Sequence, residues 1–235
     1  PFPAQAGLFA LPTTINNVET LASVSHILNR GAEWYKGLCL SNPKSTGTKL
    51  ISVCGHVQRP GNYEVTMGTP MKDLIFDMCG GMKPGRTLKA VIPGGSSVPI
   101  MTAAETEDCL LDYEGVVARG SMLGSAGMIV MDDSTDMVYQ IWRLARFYAH
   151  ESCAQCTQCR EGTAWTTKIL ERILAGKGKA ADLDLLLSLS ENMTGKTICV
   201  LSDSCAAPIV SGIAKFRSEF DAYLSGARQP ALAMA

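Results

Sequence analysis

The spacing of apolar residues changes period twice along the chain, from helical to strand-like near residue 49 and back to helical after Asp133. In the first stretch, "NNVETLASVSHILNRG" sets Val18, Leu21, Ala22, Val24, Ile27 and Leu28 on one helical face and stops near Gly31. The stretch "SNPKSTGTK" (41–49) is rich in turn formers and predicts a linker and domain boundary. Beyond it, "LISVCGHV", a turn at "QRPGN" and "YEVT" predict a β-hairpin. "GTPMKDLIFDMCGGM" predicts a short helix capped by Thr69, with Pro70 at its first position and Gly80 past its end. "KAVIPGGS" and "GMIVMD" add strands, so residues 49–133 are expected to form a small β-grasp-like sheet wrapped on a helix.

After Asp133 only helical patterns remain. Ser134 or Thr135 is the candidate cap of a helix with Val138, Ile141, Trp142, Ala145 and Tyr148 inward. A second helix is expected from about Thr163 to Ala175, with Trp165, Ile169, Leu170 and Ile173 inward, and a third from about Ala180 to Met193. A fourth is expected from about Pro208 through Ile213, Phe216 and Phe220 to Leu224. The fold class is therefore α+β: an N-terminal segment (1–48), the β-grasp unit (49–133), an antiparallel four-helix bundle (134–226) and a tail (227–235).

Composition narrows the function. With 235 residues and 46% hydrophobic content the chain can bury a core, while a net charge of −1 and 18% charged residues exclude the footprint of nucleic-acid binding. The longest apolar runs fall far short of the roughly 20 residues that span a bilayer, so direct membrane insertion is not expected. The opening "PFPAQAGLF" lacks an initiator Met and any export signal, and the true N-terminus is expected upstream. Nine cysteines, an odd number, read as thiols or metal ligands in a reducing compartment rather than as a disulfide framework.

The chemistry concentrates in "HESCAQCTQCREG", with Cys153, Cys156 and Cys159, and "KTICVLSDSC", with Cys199 and Cys205. In an antiparallel bundle the loops joining helices one to two and three to four lie at one end, which brings a further thiol to the three. On a straight helix the three would spread along roughly 9 Å of axis, too far to share one small ion. A loop wrapped around a cubane-sized object suits them better, and Cys-x-x-Cys-x-x-Cys with a remote Cys is a [4Fe–4S] pattern. Structural zinc and redox thiols are the alternatives, though only His150 lies near as a nitrogen ligand, and it reads better as a helix C-terminal residue. Arg160 either offsets thiolate charge or is simply solvated at a helix start. Cys39, Cys54, Cys79 and Cys109 read as buried small hydrophobes. No residue is nominated as a catalytic acid or base.

"ARFYAHESCAQCTQCREGTAW" followed by "LLSLSENMTGKTICVLSD" resembles the NADH-binding, flavin-carrying subunits of bacterial respiratory complex I, the F-type chains of NADH-quinone oxidoreductase and counterparts of the mitochondrial 51-kDa subunit. "LPTTINNVETL" is similar to a second signature of that family, and "GHVQRPGNYEV" with "IPGGSS" resembles its soluble-ligand-binding β-grasp domain. The resemblance implies that Cys153, Cys156, Cys159 and Cys199 ligate a [4Fe–4S] cluster, with Cys205 a non-ligand. It implies that Asn16, Asn17 and Thr20 touch FMN and that Val200 packs near the flavin; the residues themselves predict Asn16 as the cap of a helix starting at Asn17, and both roles are expected together. Residues 1–48 would then be the C-terminal edge of the FMN- and NADH-binding domain. A Gly-rich "GRGGAGFP"-like loop is absent, so the chain is expected to be a carboxyl-terminal half, inactive alone toward NADH. The implied reaction is hydride transfer from NADH to FMN, then single electrons to the cluster and onward to quinone. The implied partners are a large iron–sulfur subunit and a small thioredoxin-like [2Fe–2S] subunit, on the cytoplasmic side of the inner membrane as a peripheral assembly. A diaphorase subunit of an NAD-linked hydrogenase or formate dehydrogenase shares these motifs. A non-enzymatic β-grasp module on a zinc-stabilised bundle is the alternative of another class.

Overall fold

The computed structural model describes residues 1–40 and 44–231; the first three residues of the expected linker and the last four of the expected tail lie outside the described residues. The N-terminal segment holds α1 (Pro3–Ala6), α2 (Val18–Arg30) and α3 (Ala32–Lys36). Asn17, not Asn16, caps α2, its Oδ1 accepting the Thr20 N–H at 3.0 Å. The apolar stripe of α2 is real, but Val18, Leu21, Val24 and Leu28 are exposed. The helix is tied down instead through Glu19, which accepts the Leu50 N–H at 2.8 Å and pairs with Lys49.

Strands β1 (Thr48–Gly55) and β2 (Gly61–Thr66) form the expected hairpin, followed by β3 (Thr69–Pro70), β4 (Leu88–Ile92), β5 (Met101–Thr102), β6 (Leu110–Leu111) and β7 (Gly127–Asp132). The main sheet runs β2-β1-β7-β4-β5, with β1 parallel to β7 and the other pairs antiparallel; β3 and β6 pair apart from it. Thr69 does not cap a helix. It pairs with Leu111, its hydroxyl donates to the Thr66 carbonyl, and a π-helical turn, Asp73–Met78, follows. Two short helices, α4 (Ala103–Thr106) and α5 (Tyr113–Ala118), carry no readable period.

Alternation along the central strands divides the interior. Val91, Met128 and Val130 point into a core with Ile51, Val53, Leu74 and Ile75, whereas Ala90, Ile92 and Met131 enter a second core made with the helices. The sheet is therefore covered on both faces, and the expected domain boundary near residue 133 crosses a continuous core.

The helical half comprises α6 (Met137–Glu151), α7 (Thr157–Leu174), α8 (Asp182–Met193), α9 (Leu201–Lys215) and α10 (Arg217–Leu224). The cap of α6 is Asp136, whose Oδ1 accepts the Tyr139 N–H at 3.0 Å; Ser134 and Thr135 are instead drawn into a turn by Asp132. Helix α7 begins six residues earlier than expected, and Trp165 faces outward, 52% exposed. The expected fourth helix is two: Pro208 lies inside α9, and the chain breaks at Phe216 before α10. Helix α6 packs on α7 and α9, α7 on α8, and α8 on α9. The tail returns to this body through Arg228, which pairs with Asp136 and Glu219, and through the Ala231 N–H on the Leu174 carbonyl. Among the described residues no helix is long and apolar enough to cross a membrane.

The junction of β1 with β7 requires Gly55. Its φ is +98°, and a Cβ there would run into the Val130 carbonyl oxygen. Gly55→Ala is expected to cost at least about 2 kcal/mol of stability, from backbone strain plus a clash with main chain that cannot rotate away. Urea unfolding followed by circular dichroism checks this.

Candidate iron–sulfur site

Two loops build the site. The first leaves α6 at Ser152, and Ala154 adopts a left-handed backbone, φ +63°, an uncommon conformation for a residue with a Cβ. Its carbonyl accepts from Arg160 Nη1 at 2.9 Å and its N–H donates to Ser152 Oγ at 3.3 Å. Arg160 also donates to Glu161 at 2.9 Å, so this arginine is not simply solvated; it staples the turn between Cys153 and Cys156. Cys156 occupies the N-cap position of α7, which places Cys159 in the first turn of that helix, buried, with its carbonyl accepting from the Thr163 hydroxyl at 2.7 Å. Cys153 is exposed and Cys156 half-buried.

The second loop links α8 to α9. Asp203 Oδ1 accepts the Gly195 N–H at 2.9 Å, and the Thr197 hydroxyl lies 2.6 Å from that of Ser202 and 2.8 Å from the Cys199 carbonyl. These bonds hold the exposed Cys199 at the rim. The two loops touch: the Ile198 N–H donates to Cys156 Sγ at 3.4 Å, across 42 residues of sequence. That bond puts Cys199 one residue from a group already bonded to a cysteine of the first loop, which is the meeting expected from the helix order.

Cys205 lies lower, on α9, fully buried in the helical core. Burial, with the Cys159 sulfur beside it, pushes its thiol up to about 12. His150 is exposed and engaged with Glu151 at 3.0 Å. Among the described residues no three of Cys, His, Asp and Glu converge on a point fit for a single ion. Of the other cysteines, Cys79 and Cys109 are buried as expected, Cys39 is half-buried, and Cys54 is exposed because alternation along β1 turns it away from Ile51 and Val53.

The flavin candidates are divided. Asn17 and Thr20 line a polar cleft with Ser23, Tyr35 and Lys49, and the Asn17 oxygen is already engaged as a helix cap. Asn16 is exposed beside them. Val200, 74% exposed, lines a separate groove with Met122, Ala207 and Val210. The described residues therefore supply edges that could meet a flavin but no single pocket enclosing one. Sequence reasoning missed Ser152, Arg160 as a staple, and Thr197 and Ser202; the alternation of Ser and Thr with cysteines was the available signal.

Comparison with known proteins fits this arrangement. Residues 139–223 match the family described as the NADH-ubiquinone oxidoreductase-F iron-sulfur binding region, and residues 49–139 match the SLBB domain family. The two matches follow one another along the chain and meet at residue 139. It is 48% identical over 222 residues to the F 1 subunit of NADH-quinone oxidoreductase of Rhizobium meliloti (strain 1021), covering 94% of this chain and 51% of that one. It is likewise 48% identical over 226 residues to the corresponding F chain of NADH-quinone oxidoreductase of Streptomyces coelicolor (strain ATCC BAA-471 / A3(2) / M145), covering 96% and 49%. Among solved structures, an NAD+-reducing [NiFe]-hydrogenase in the H2-reduced state aligns with a TM-score of 0.81 and 34% identity, over 95% of this chain and 37% of that one. The chain is a homologue of the F-type subunits of NADH-quinone oxidoreductase and spans about half the length of the curated relatives it matches.

The staple is testable without any cofactor. Arg160→Ala removes the bond to the Ala154 carbonyl and leaves only the Ser152 hydroxyl holding that residue in its strained conformation, so local opening becomes easier. Amide hydrogen exchange at 154–156 is expected to accelerate by at least about tenfold, an opening free energy lower by ~1.4 kcal/mol. Exchange in the core of α6 should stay as it is.

Proposed function

We propose that the chain is the SLBB and iron–sulfur portion of an NADH dehydrogenase subunit of the F type, with a [4Fe–4S] cluster held by Cys153, Cys156, Cys159 and Cys199. The observation that carries the reading is the bond from the Ile198 N–H to Cys156 Sγ, which draws the fourth cysteine loop onto the first three. The donor set supports it: four thiols on two loops, with the Ile198 N–H directed at one sulfur, the Ser152 hydroxyl 3.3 Å from another, and His150 engaged with Glu151 instead. Three cysteines at Cys-x-x-Cys-x-x-Cys with one remote cysteine suit a four-thiolate cluster better than a structural zinc, which usually pairs Cys-x-x-Cys with a second pair or with histidines.

On this reading α6, α7, α8 and α9 form an antiparallel four-helix bundle, with α10 packed on it, at 134–226, joined to the β-grasp unit at 49–133. Residues 1–48 are the edge of an FMN- and NADH-binding domain, and 227–235 are a tail. When bound, the cluster supplies one-electron exchange between a flavin reduced by NADH and the next carrier toward quinone. The chain's own residues position the thiolates, close the site from below with the α6, α7 and α9 core, and leave Cys153 and Cys199 at the open rim. Asn16, Asn17, Thr20 and Val200 are proposed flavin contacts. A large iron–sulfur subunit and a small thioredoxin-like [2Fe–2S] subunit are the proposed partners, in an assembly peripheral to the cytoplasmic side of the bacterial inner membrane. The diaphorase arm of an NAD-linked hydrogenase is the second reading, supported by the likeness to the NAD+-reducing hydrogenase. Co-purification with hydrogenase chains rather than quinone-linked ones would select it.

Each of Cys153→Ser, Cys156→Ser, Cys159→Ser and Cys199→Ser is expected to strip most of the iron from the purified, reconstituted protein, while Cys205→Ser retains it. Iron and acid-labile sulfide assays with the visible spectrum read the result. A colourless zinc protein sinks the cluster, and iron loss confined to Cys205→Ser sinks the ligand set.

A further inference from the structure

Ser152 Oγ lies 3.3 Å from Cys159 Sγ. The same oxygen accepts the N–H of Ala154 at 3.3 Å, so one of its lone pairs is occupied and its hydrogen is turned away from that amide. In an unligated thiol either sulfur or oxygen can be the donor across the 3.3 Å contact. A cysteine that ligates iron has lost its hydrogen, which leaves one sense for the bond: the Ser152 O–H donates to sulfur. Resting on the cluster reading above, we propose that Ser152 is a positioning residue that sets the cluster's reduction potential through a hydroxyl hydrogen bond to Cys159 Sγ.

Several features favour Ser152 over its neighbours for this role. Cys159 is buried, Cys156 half-buried and Cys153 and Cys199 exposed, so water reaches Cys159 least of the four. A hydrogen bond in that drier position is less diluted by solvent. Ser152 is half-buried at the end of α6, and its contact closes the base of the loop from Ser152 to Cys159. The second bond to sulfur, from the Ile198 N–H to Cys156, is main chain and no substitution at 198 other than proline removes it. Ser152 is thus the side-chain donor within reach of a proposed ligand sulfur.

The sign follows from charge. Reduction adds one electron to the cluster and its thiolates without moving a proton, and a donor directed at sulfur stabilises the more negative form. Removing the donor therefore shifts the midpoint to more negative potential. A hydrogen bond to a charged group is strong, but only the part of it that differs between oxidised and reduced forms counts. At a fixed ambient potential, Ser152→Ala is expected to raise the oxidised-to-reduced ratio by up to about tenfold, equivalent to about 59 mV for a one-electron couple.

The test is a potentiometric titration of the iron-loaded chain followed by electron paramagnetic resonance, with iron content measured in parallel. Ser152→Ala and Ser152→Val, the latter matching the shape of the Thr variant below without its hydroxyl, should keep their iron and shift negative. Ser152→Thr, which keeps the hydroxyl, should titrate with the unsubstituted protein. Unshifted midpoints in the Ala and Val variants would overturn the proposal while leaving the cluster reading intact. Loss of iron from both, with retention in Thr, would place the hydroxyl in cluster assembly and overturn tuning as its role. No cluster signal in the unsubstituted protein would sink the cluster reading itself.

Discussion

Strand β4 is buried on both faces, and the rest of the molecule is arranged around that constraint. In a pleated strand successive side chains must leave on opposite sides, so Val91 enters the β-grasp core while Ala90 and Ile92 enter the helical one. A strand of this kind cannot face water on either side without losing roughly 1.5–3 kcal/mol for each large apolar side chain exposed. The helices are therefore not an appendage joined by a linker. Ile100 makes the attachment polar as well as apolar: its N–H is taken by Ser211 and its carbonyl by Lys215, both on α9, while Ile141 and Gly212 close against each other beside it.

That attachment fixes the cysteine loops. Helices α6 and α9 lie against the back of the sheet, and each has one end in the candidate site: α6 hands the chain to the first loop at Ser152, and α9 begins just past Cys199. With two of the helices anchored by the sheet, the geometry between loops is inherited from the core rather than from the loops. Local bonds then do only fine work. Arg160 holds Ala154, Thr197 and Ser202 hold the second loop, and a single N–H to sulfur joins the two.

Much of this is legible in the sequence because apolar period reports burial in long elements. The stripe Val138, Ile141, Trp142, Ala145 and Tyr148 predicts α6, and the hairpin follows from alternation and a turn. Helix order alone brings the cysteine loops to one end. What escapes sequence reading is local competition. Asp136 displaces Ser134 and Thr135 as the cap because Asp132 draws them into a turn, and Thr69 pairs with β6 because a strand partner 42 residues away is invisible to a capping rule. Pro208 reads as a helix start, yet the flanking buried residues Cys205, Ala206 and Ile209 gain enough from the core to carry a proline inside α9. The α2 stripe gives the helix but not its burial, since periodicity shows that a face is apolar and not that something covers it.

The candidate site also has an inside and an outside of different chemistry. Toward the core, one hydroxyl reaches sulfur, that of Ser152 at Cys159, while the Thr163 hydroxyl donates to the Cys159 carbonyl just below. Toward solvent, part of the rim is apolar, with Ile198 and Val200 among the most exposed large hydrophobic residues and Val200 leading into a groove with Met122, Ala207 and Val210. For a one-electron centre these two sides act in opposite senses. Inner donors favour the reduced, more negative state, whereas an apolar rim disfavours it once water is excluded. In open solvent the rim is hydrated and the inner donors dominate. When the rim is covered, the desolvation of Cys153 and Cys199 counts against them, so on the proposed reading the potential is a property of the assembled surface as much as of the four ligands.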